Sequence, residues 1–246
     1  MKKSTAIVVG VGASAGLGAA LCRKFSAEGY HVLVAGRTQE KIRLVADEIN
    51  ASGGSAHPIL TDATCEDDVR RLLDAGISPE GGHQPVDLIV FNVGNNQPLE
   101  FQKLEASTFE EFWRVCCFAG FLVGREAVRR LVPLGRGTVI FTGASASMRG
   151  RPNYAHFSAA KAGLRMISQS MAREFGPQGI HVAHVVVDGM IKGDRVLSRY
   201  PDALRVRGED GMLEIAAIAE AYWQIHKQPT SAWTHEMDLR PFREVF

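Results

Sequence analysis

The sequence predicts a single α/β domain built on a doubly wound parallel sheet of about seven strands, with helices on both faces. Three observations predict this fold class. Short runs rich in β-branched residues alternate with longer amphipathic segments, glycine or proline bounds most of the short runs, and neither a linker nor an internal repeat divides the 246 residues. Strands that alternate with helices in this way form a sheet covered on both faces.

The elements follow one another in a regular order. The predicted strands cover residues 6–10, 31–36, 55–61, 87–91, 138–143, 181–187 and 236–239. Amphipathic periodicity predicts helices near 16–28, 38–51, 65–75, 107–132, 153–175 and 212–226. The charged, glycine-containing segment 192–211 predicts a flexible loop over the substrate. We expect one domain over 1–246, with a cofactor half at about 1–135 and a substrate half at about 136–246.

The composition is that of an ordinary globular protein. The net charge is +1, charged residues make up 22% of the chain and hydrophobic residues 46%. Such a balance offers no electrostatic case for binding nucleic acid or an anionic membrane, and it favours a small-molecule partner. The four cysteines lack the spacing of a metal site or a disulfide framework, so we expect no metal and a cytoplasmic location.

A glycine-rich loop lies between the first predicted strand and the first predicted helix. It contains Gly12, Gly16 and Gly18. Glycine allows unusual backbone angles there, and the absence of a Cβ lets a pyrophosphate approach the main chain at the helix N-terminus. A simple turn is the alternative interpretation of this loop taken alone.

Arg37 follows the second predicted strand. At the end of that strand an acidic residue would bind the ribose hydroxyls of NAD, whereas an arginine would pair with the 2′-phosphate of NADP. The residue therefore favours NADP(H) over NAD(H). The alternative is a solvated charge near a helix start.

The spacing Gly12-x-x-x-Gly16-x-Gly18 resembles the short-chain dehydrogenase/reductase family, and the resemblance continues in register through most of the chain. Asp62 resembles the adenine-contacting aspartate of that family, although a helix N-cap is the alternative for this residue. The stretch FNVGN at 91–95 resembles the Asn-Ala-Gly turn of the family. The resemblance implies a Rossmann-like fold. It also implies cofactor contacts at Gly12, Ser14, Gly16, Leu17, Gly18, Arg37, Asp62, Ala63, Asn92, Gly94, Lys161, Gly189 and Ile191.

The catalytic positions depart from the family pattern. Phe157 and Lys161 stand where the family has Tyr-x-x-x-Lys, so the lysine is kept and the tyrosine is replaced. Ala144 aligns with the family serine, with Ser145 one residue later, and Cys116 aligns with the asparagine. The resemblance therefore leaves Lys161, Ser145 and Tyr154 as the catalytic candidates, because Tyr154 lies near the helix face of Lys161.

Asp188 stands where the family has the proline of its Pro-Gly pair, before Gly189. We favour a cap for the next short helix over a catalytic acid at this position. A catalytic base in a non-redox reaction, such as an elimination or isomerisation, is a further possibility.

The resemblance implies an NADP(H)-dependent oxidoreductase that transfers hydride to or from a carbonyl or alcohol substrate with a non-standard proton donor. The alternative is a catalytically silent NADP(H)-binding or regulatory protein that keeps the pocket. No charged clamp stands out in the sequence, so we expect an apolar substrate pocket. Its expected lining is Phe101, Trp113, Met148, Tyr154 and Met190 together with the 192–211 segment.

The segment 109–131 is apolar on more than one face. A helix of this kind is expected to be buried by the sheet on one side and by a partner on the other. The family resemblance implies the same, so we expect a homodimer or homotetramer.

Overall fold

The computed structural model describes residues 2–208 and 210–244. A seven-stranded sheet of parallel strands forms the centre, in the order β3-β2-β1-β4-β5-β6-β7. Each predicted strand is confirmed to within one residue at either end. The strands are β1 (Thr5–Val9), β2 (His31–Gly36), β3 (Ala56–Leu60), β4 (Val86–Phe91), β5 (Gly137–Thr142), β6 (Ile180–Val187) and β7 (Glu236–Leu239).

Helices connect the strands and cover both faces of the sheet. They are α1 (Leu17–Ala27), α2 (Gln39–Ala51), α3 (Glu66–Ile77), α4 (Ala106–Trp113), α5 (Ala119–Leu131), α6 (Ala155–Phe175), α7 (Asp194–Arg199), α8 (Ala203–Arg207) and α9 (Ile215–His226). The helix predicted at 107–132 is confirmed, but a π-helical turn at Arg114–Phe118 joins its halves α4 and α5. The last predicted helix begins at Ile215 rather than at 212.

The segment 192–211 is not an irregular loop over its described residues. Two short helices, α7 and α8, form within it, and the sequence analysis predicted neither of them. They are only six and five residues long, so their apolar positions are too few to show a helical period.

The two faces of the sheet carry separate cores because side chains alternate along a strand. Ala6 and Val8 of β1 pack into a cluster with α1, α2 and α9. Ile7 and Val9, the alternate residues of the same strand, pack into a second cluster with α3, α5 and α6. The sheet is therefore buried on both sides, and its polar loops gather at the carboxyl ends of the strands.

The strand order reverses between β1 and β4, which are neighbours in the sheet although β2 and β3 separate them in the chain. Connections leave such a pair in opposite directions and open a crevice at the carboxyl ends, where open α/β sheets bind their ligands. The loop after β1 lies at this crevice.

Candidate active site

A cavity of about 190 Å³ lies at the carboxyl ends of β1 to β4. It brings together six residues that the sequence analysis assigned to the cofactor: Gly12, Arg37, Asp62, Ala63, Asn92 and Gly94. Thr38 and Lys41 line the same cavity. Sequence reasoning missed both, although the four-residue spacing of Arg37 and Lys41 at the start of α2 is a signal that could have found the second cation.

The glycines around this cavity serve two different purposes. A Cβ on Gly36 would overlap the carbonyl oxygen of Val11, and one on Gly18 would lie 3.0 Å from the carbonyl oxygen of Gly10. These two glycines therefore let β2 and α1 pack closely against the loop after β1. A Cβ on Gly12 would meet no described atom within 4 Å. Gly12 borders open space instead.

The start of α1 offers uncapped main-chain groups. Gly16 precedes the helix, and no described side chain caps its first turn. The hydroxyl of Ser14 points away from a possible ligand, since it donates to Glu48 at 2.7 Å while Arg23 contacts it at 3.3 Å. Ser14, Gly16, Leu17 and Gly18 lie outside the lining of the small cavity, so only their main-chain groups are placed to contact a ligand there.

The charges of the small cavity are arranged for an anion. Arg37 and Lys41 are exposed, and neither forms an ion pair with any residue that the structure describes. Oδ1 of Asp62 accepts hydrogen bonds from the main chain and hydroxyl of Thr64 at 2.9 and 2.8 Å. Asp62 thus stabilises its own turn with one oxygen.

A larger cavity of about 800 Å³ lies beyond the ends of β5 and β6. It brings together the predicted residues Ser145, Tyr154, Gly189 and Ile191, and Phe157 lines it too. Ser145 begins a 3₁₀ turn after β5, whereas Tyr154 directly precedes α6. The hydroxyl-bearing residues Ser145 and Tyr154 thus line the same cavity as Phe157.

Lys161 lies outside the lining of both cavities. Its side chain is 3% exposed, and its ammonium donates to the carbonyl oxygens of Thr142 at 2.8 Å and Val93 at 3.3 Å. Burial lowers the pKa of Lys161, while the neighbouring Cys116 and Cys117 oppose that shift. A Cβ on Gly94 would lie 3.2 Å from the ammonium, so the lysine sits directly beneath the floor of the small cavity.

An apolar cluster contains or adjoins the residues that the sequence analysis aligned with the catalytic positions of the family. Its buried members are Phe112, Cys116, Cys117, Phe157 and Ala160. Ala144 and Tyr154 are partly buried against it. Burial raises the pKa of the Cys117 thiol. Cys116, Ala144 and Phe157 therefore lie in or against one cluster rather than being scattered through the molecule.

Asp188 does not cap the next helix. It is 1% exposed and accepts two hydrogen bonds from Nη2 of Arg149, at 2.9 and 3.1 Å. Helix α7 begins only at Asp194. The capping interpretation is therefore wrong. Burying a carboxylate is unfavourable without a charged partner, and Arg149 supplies that partner to Asp188. Arg149 was missed by sequence reasoning, since 39 residues separate the pair.

The large cavity is more polar than expected. Of its expected apolar lining, Tyr154 and Met190 are present, whereas Phe101, Trp113 and Met148 are exposed elsewhere. Four arginines line it instead: Arg149, Arg151, Arg199 and Arg207. Arg199 and Arg207 belong to the 192–211 segment that the sequence analysis expected to line the pocket, whereas Arg149 and Arg151 were not expected there.

Known proteins share this fold. The model of the short chain dehydrogenase family matches residues 5–201. The chain belongs to the short-chain dehydrogenase family. A short-chain dehydrogenase from Rhodopseudomonas palustris is 38% identical, with a TM-score of 0.83 over 98% of this chain and all of that one. Glucose 1-dehydrogenase of Gluconobacter oxydans (strain 621H) is 32% identical over 75% of this chain and 68% of its own length.

Membership of the short-chain dehydrogenase family accounts for the fold. A metagenomic short-chain oxidoreductase in complex with NADP has the same fold, with a TM-score of 0.80 over 98% of both chains at 24% identity. Within the described residues, no helix combines the length and hydrophobicity needed to cross a membrane. No cluster of three or more potential metal ligands occurs in that part of the chain either.

Proposed function

We propose that the protein is an NADP(H)-dependent oxidoreductase that transfers hydride to or from a carbonyl or alcohol, with a proton donor other than the usual tyrosine. One observation carries the proposal. Ser145 and Tyr154 both line the large cavity, together with Gly189 and Ile191. The cavity thus keeps hydroxyl groups for a substrate oxygen although the family position of the tyrosine is apolar.

The fit of the small cavity supports the cofactor. The open space beside Gly12 lets a phosphate approach the main chain, and the uncapped first turn of α1 attracts negative charge. Arg37 and Lys41 have no ionic partner among the described residues and would hold a 2′-phosphate. Asp62, Ala63, Asn92 and Gly94 would contact the adenosine half. When bound, the cofactor supplies a hydride at its nicotinamide ring.

We assign Phe157 to the position of the family tyrosine. Its support is the placement of Lys161 four residues later on α6, with the ammonium buried between the two cavities. Lys161 would hold the nicotinamide ribose after releasing one carbonyl partner.

We assign the proton to Tyr154 and the positioning of the substrate oxygen to Ser145. A phenol can donate a proton and accept it back, whereas a serine hydroxyl donates a hydrogen bond without ionising at ordinary pH. General acid–base assistance contributes roughly 10²–10⁴-fold in rate, so a displaced donor still permits turnover.

The proposal is tested by single-turnover oxidation of NADPH with the enzyme in excess over a panel of ketones and aldehydes. We expect oxidation with at least one member and a rate that depends on Tyr154 or Ser145. Absence of oxidation with every member of the panel, with NADPH binding intact, would contradict it.

A second candidate is a silent NADP(H)-binding protein. The apolar cluster of Cys116 and Phe157 favours it, because that cluster occupies two positions where the family has polar groups. It predicts NADPH affinity without turnover. The same single-turnover measurement separates the two candidates, since turnover that requires Tyr154 excludes the silent protein.

We infer that two or four copies associate through α4 and α5. Trp113 and Phe121 are each 40% exposed, and Phe118 lies between them with ring centroids 5.8 and 6.2 Å away. An exposed aromatic row of this kind is typical of an interface. Solution scattering at micromolar concentration is expected to give the mass of a dimer or tetramer, and a monomer mass would contradict the inference.

We also infer a cytoplasmic location. Cys22, Cys65, Cys116 and Cys117 are all free thiols, which suits a reducing compartment. Fractionation of cells that express the tagged protein tests this inference.

A further inference from the structure

We propose that the large cavity binds a small substrate that carries a carboxylate, and that Arg199 is the residue that recognises it. This inference rests on the proposed function and names the class of its substrate. It starts from the four arginines of the cavity, Arg149, Arg151, Arg199 and Arg207. Three carboxylates face them, from Asp188, Asp202 and Glu244.

Three of the arginines are already held by carboxylates. Arg149 donates both its bonds to the buried Asp188. Arg207 lies 3.1 Å and Arg151 3.9 Å from the carboxylate of Glu244, whose side chain is 7% exposed. The two acids thus position three guanidinium groups, and one positive charge remains in excess.

Asp202 does not remove that excess. It pairs with Arg205 at 3.3 Å, and Arg205 is outside the cavity lining. The charges of the cavity therefore favour an anion, even though the protein as a whole has a net charge of only +1.

Arg199 is the arginine of the large cavity that is not paired with a carboxylate among the described residues. It donates to the carbonyl oxygen of Asn96 at 3.2 Å, and its guanidinium lies 5.7 Å from the ring centre of Tyr200. No carboxylate lies within ion-pair distance of it among residues 2–208 and 210–244. A guanidinium has five N–H donors, so most of those of Arg199 remain available for the paired oxygens of a carboxylate.

The position of Arg199 suits substrate recognition better than cofactor recognition. Its bond to Asn96 joins α7 to the loop after β4, and both segments line the large cavity with Ser145 and Tyr154. The cations proposed for the cofactor phosphate, Arg37 and Lys41, line the other cavity. A cavity of about 800 Å³ is within the size range of small-molecule sites.

The experiment measures direct binding to the full-length protein by saturation-transfer NMR, with and without NADP⁺. The probes are lactate, glutarate and gluconate, each paired with its neutral primary amide, and inorganic phosphate. The variants are Arg199→Gln, Arg199→Lys and the control Arg173→Gln, which removes an exposed arginine that neither lines the cavity nor pairs with one of its described carboxylates. Circular dichroism verifies that each variant folds.

We expect at least one acid to bind and its amide not to bind. Arg199→Gln is expected to weaken binding of the acid about tenfold or more, since charged hydrogen bonds are lost, while Arg173→Gln leaves the affinity unchanged. Arg199→Lys is expected to give an intermediate affinity because it keeps the charge and loses the paired geometry.

Four results would overturn the proposal: no acid binds, an amide binds as well as its acid, phosphate alone binds, or Arg199→Gln binds the acid as well as the wild type. A parallel loss of NADPH affinity in Arg199→Gln would indicate that Arg199 contacts the cofactor, and this result would also overturn the proposal. Binding of the acid is measured without turnover. Absence of NADPH oxidation would therefore contradict the proposed function but would not by itself contradict acid binding at Arg199.

Discussion

The ammonium of Lys161 donates a hydrogen bond to the main-chain carbonyl of Thr142, at 2.8 Å between nitrogen and oxygen. The hydroxyl of Thr142 in turn accepts a hydrogen bond from Tyr222 at 2.9 Å. A charge that is 3% exposed is thus compensated by neutral carbonyl groups, without a carboxylate partner among the described residues. Burying an ammonium in this way is unfavourable, so the lysine is more readily explained by a ligand that it contacts than by stability.

Lys161→Met is expected to separate the contribution of the lysine to ligand binding from its contribution to stability. The substitution removes a buried charge but leaves two carbonyl groups without their donor, so the free energy of unfolding should change by about 1 kcal/mol or less. NADPH affinity should fall about tenfold or more, because the contact to the ribose is lost. Urea unfolding and fluorescence titration measure the two quantities, with Lys103→Met as an exposed control. Intact NADPH affinity would refute the assigned role.

Arg37→Ala is expected to lower NADPH affinity far more than NADH affinity. Loss of a charge-assisted hydrogen bond to the 2′-phosphate should lower NADPH affinity by a factor of about 10–100. NADH has no 2′-phosphate, so its affinity should change little. Titration of both nucleotides measures the difference. Arg43→Ala is the control, since Arg43 is exposed on α2, six residues after Arg37, and does not line the cavity. An equal loss for both nucleotides would argue against a phosphate contact.

Gly12 and Gly36 are expected to respond differently to alanine. In Gly36→Ala the new methyl group overlaps the Val11 carbonyl oxygen, so the free energy of unfolding should fall by about 1–3 kcal/mol. In Gly12→Ala the methyl group meets no described protein atom, so stability should change by less than about 0.5 kcal/mol while NADPH binding weakens. Unfolding curves and NADPH titrations of both variants test this contrast. Full NADPH affinity in Gly12→Ala would show that no ligand occupies that space.

The fold follows from the sequence more completely than the site does. Strands such as β1 and β2 can be predicted because a short apolar run bounded by turn residues carries its own signal. The pair Arg149–Asp188 carries no such signal, because its members lie 39 residues apart and meet only after the sheet has formed. Cys116 and Phe157 can be aligned with the expected catalytic positions one by one, but their packing in one cluster appears only in three dimensions.

Acid is expected to destabilise the protein through its buried histidines. Burial lowers the pKa of His226 from 6.5 to about 4, and those of His31 and His184 likewise. The unfolded chain therefore binds protons between pH 6.5 and 4 that the folded protein does not. Stability should fall as the pH is lowered through this window, by up to about 1.4 kcal/mol per pH unit for each histidine.

The variant His226→Gln isolates one of these contributions. His226 contacts the hydroxyls of Tyr30 at 2.7 Å and Thr138 at 2.9 Å, so its removal should lower stability at pH 7. The slope of the unfolding free energy between pH 6.5 and 5 should nevertheless become shallower than in the wild type. Urea unfolding at three pH values within 5–7 measures it, and an unchanged slope would exclude His226 as a source of the acid sensitivity.

Tyr154 and Phe157 provide the sharpest test of the chemistry. Tyr154→Phe is expected to slow single-turnover NADPH oxidation by about 10²–10⁴-fold with unchanged NADPH affinity, because the general acid is lost. Tyr200→Phe is the control, since Tyr200 supplies another phenol to the same cavity. The double variant Tyr154→Phe/Phe157→Tyr should recover part of the rate, because Phe157 lines the cavity and lies four residues before Lys161 on α6. A wild-type rate in Tyr154→Phe would remove Tyr154 from the mechanism and make Ser145 the next hydroxyl to test.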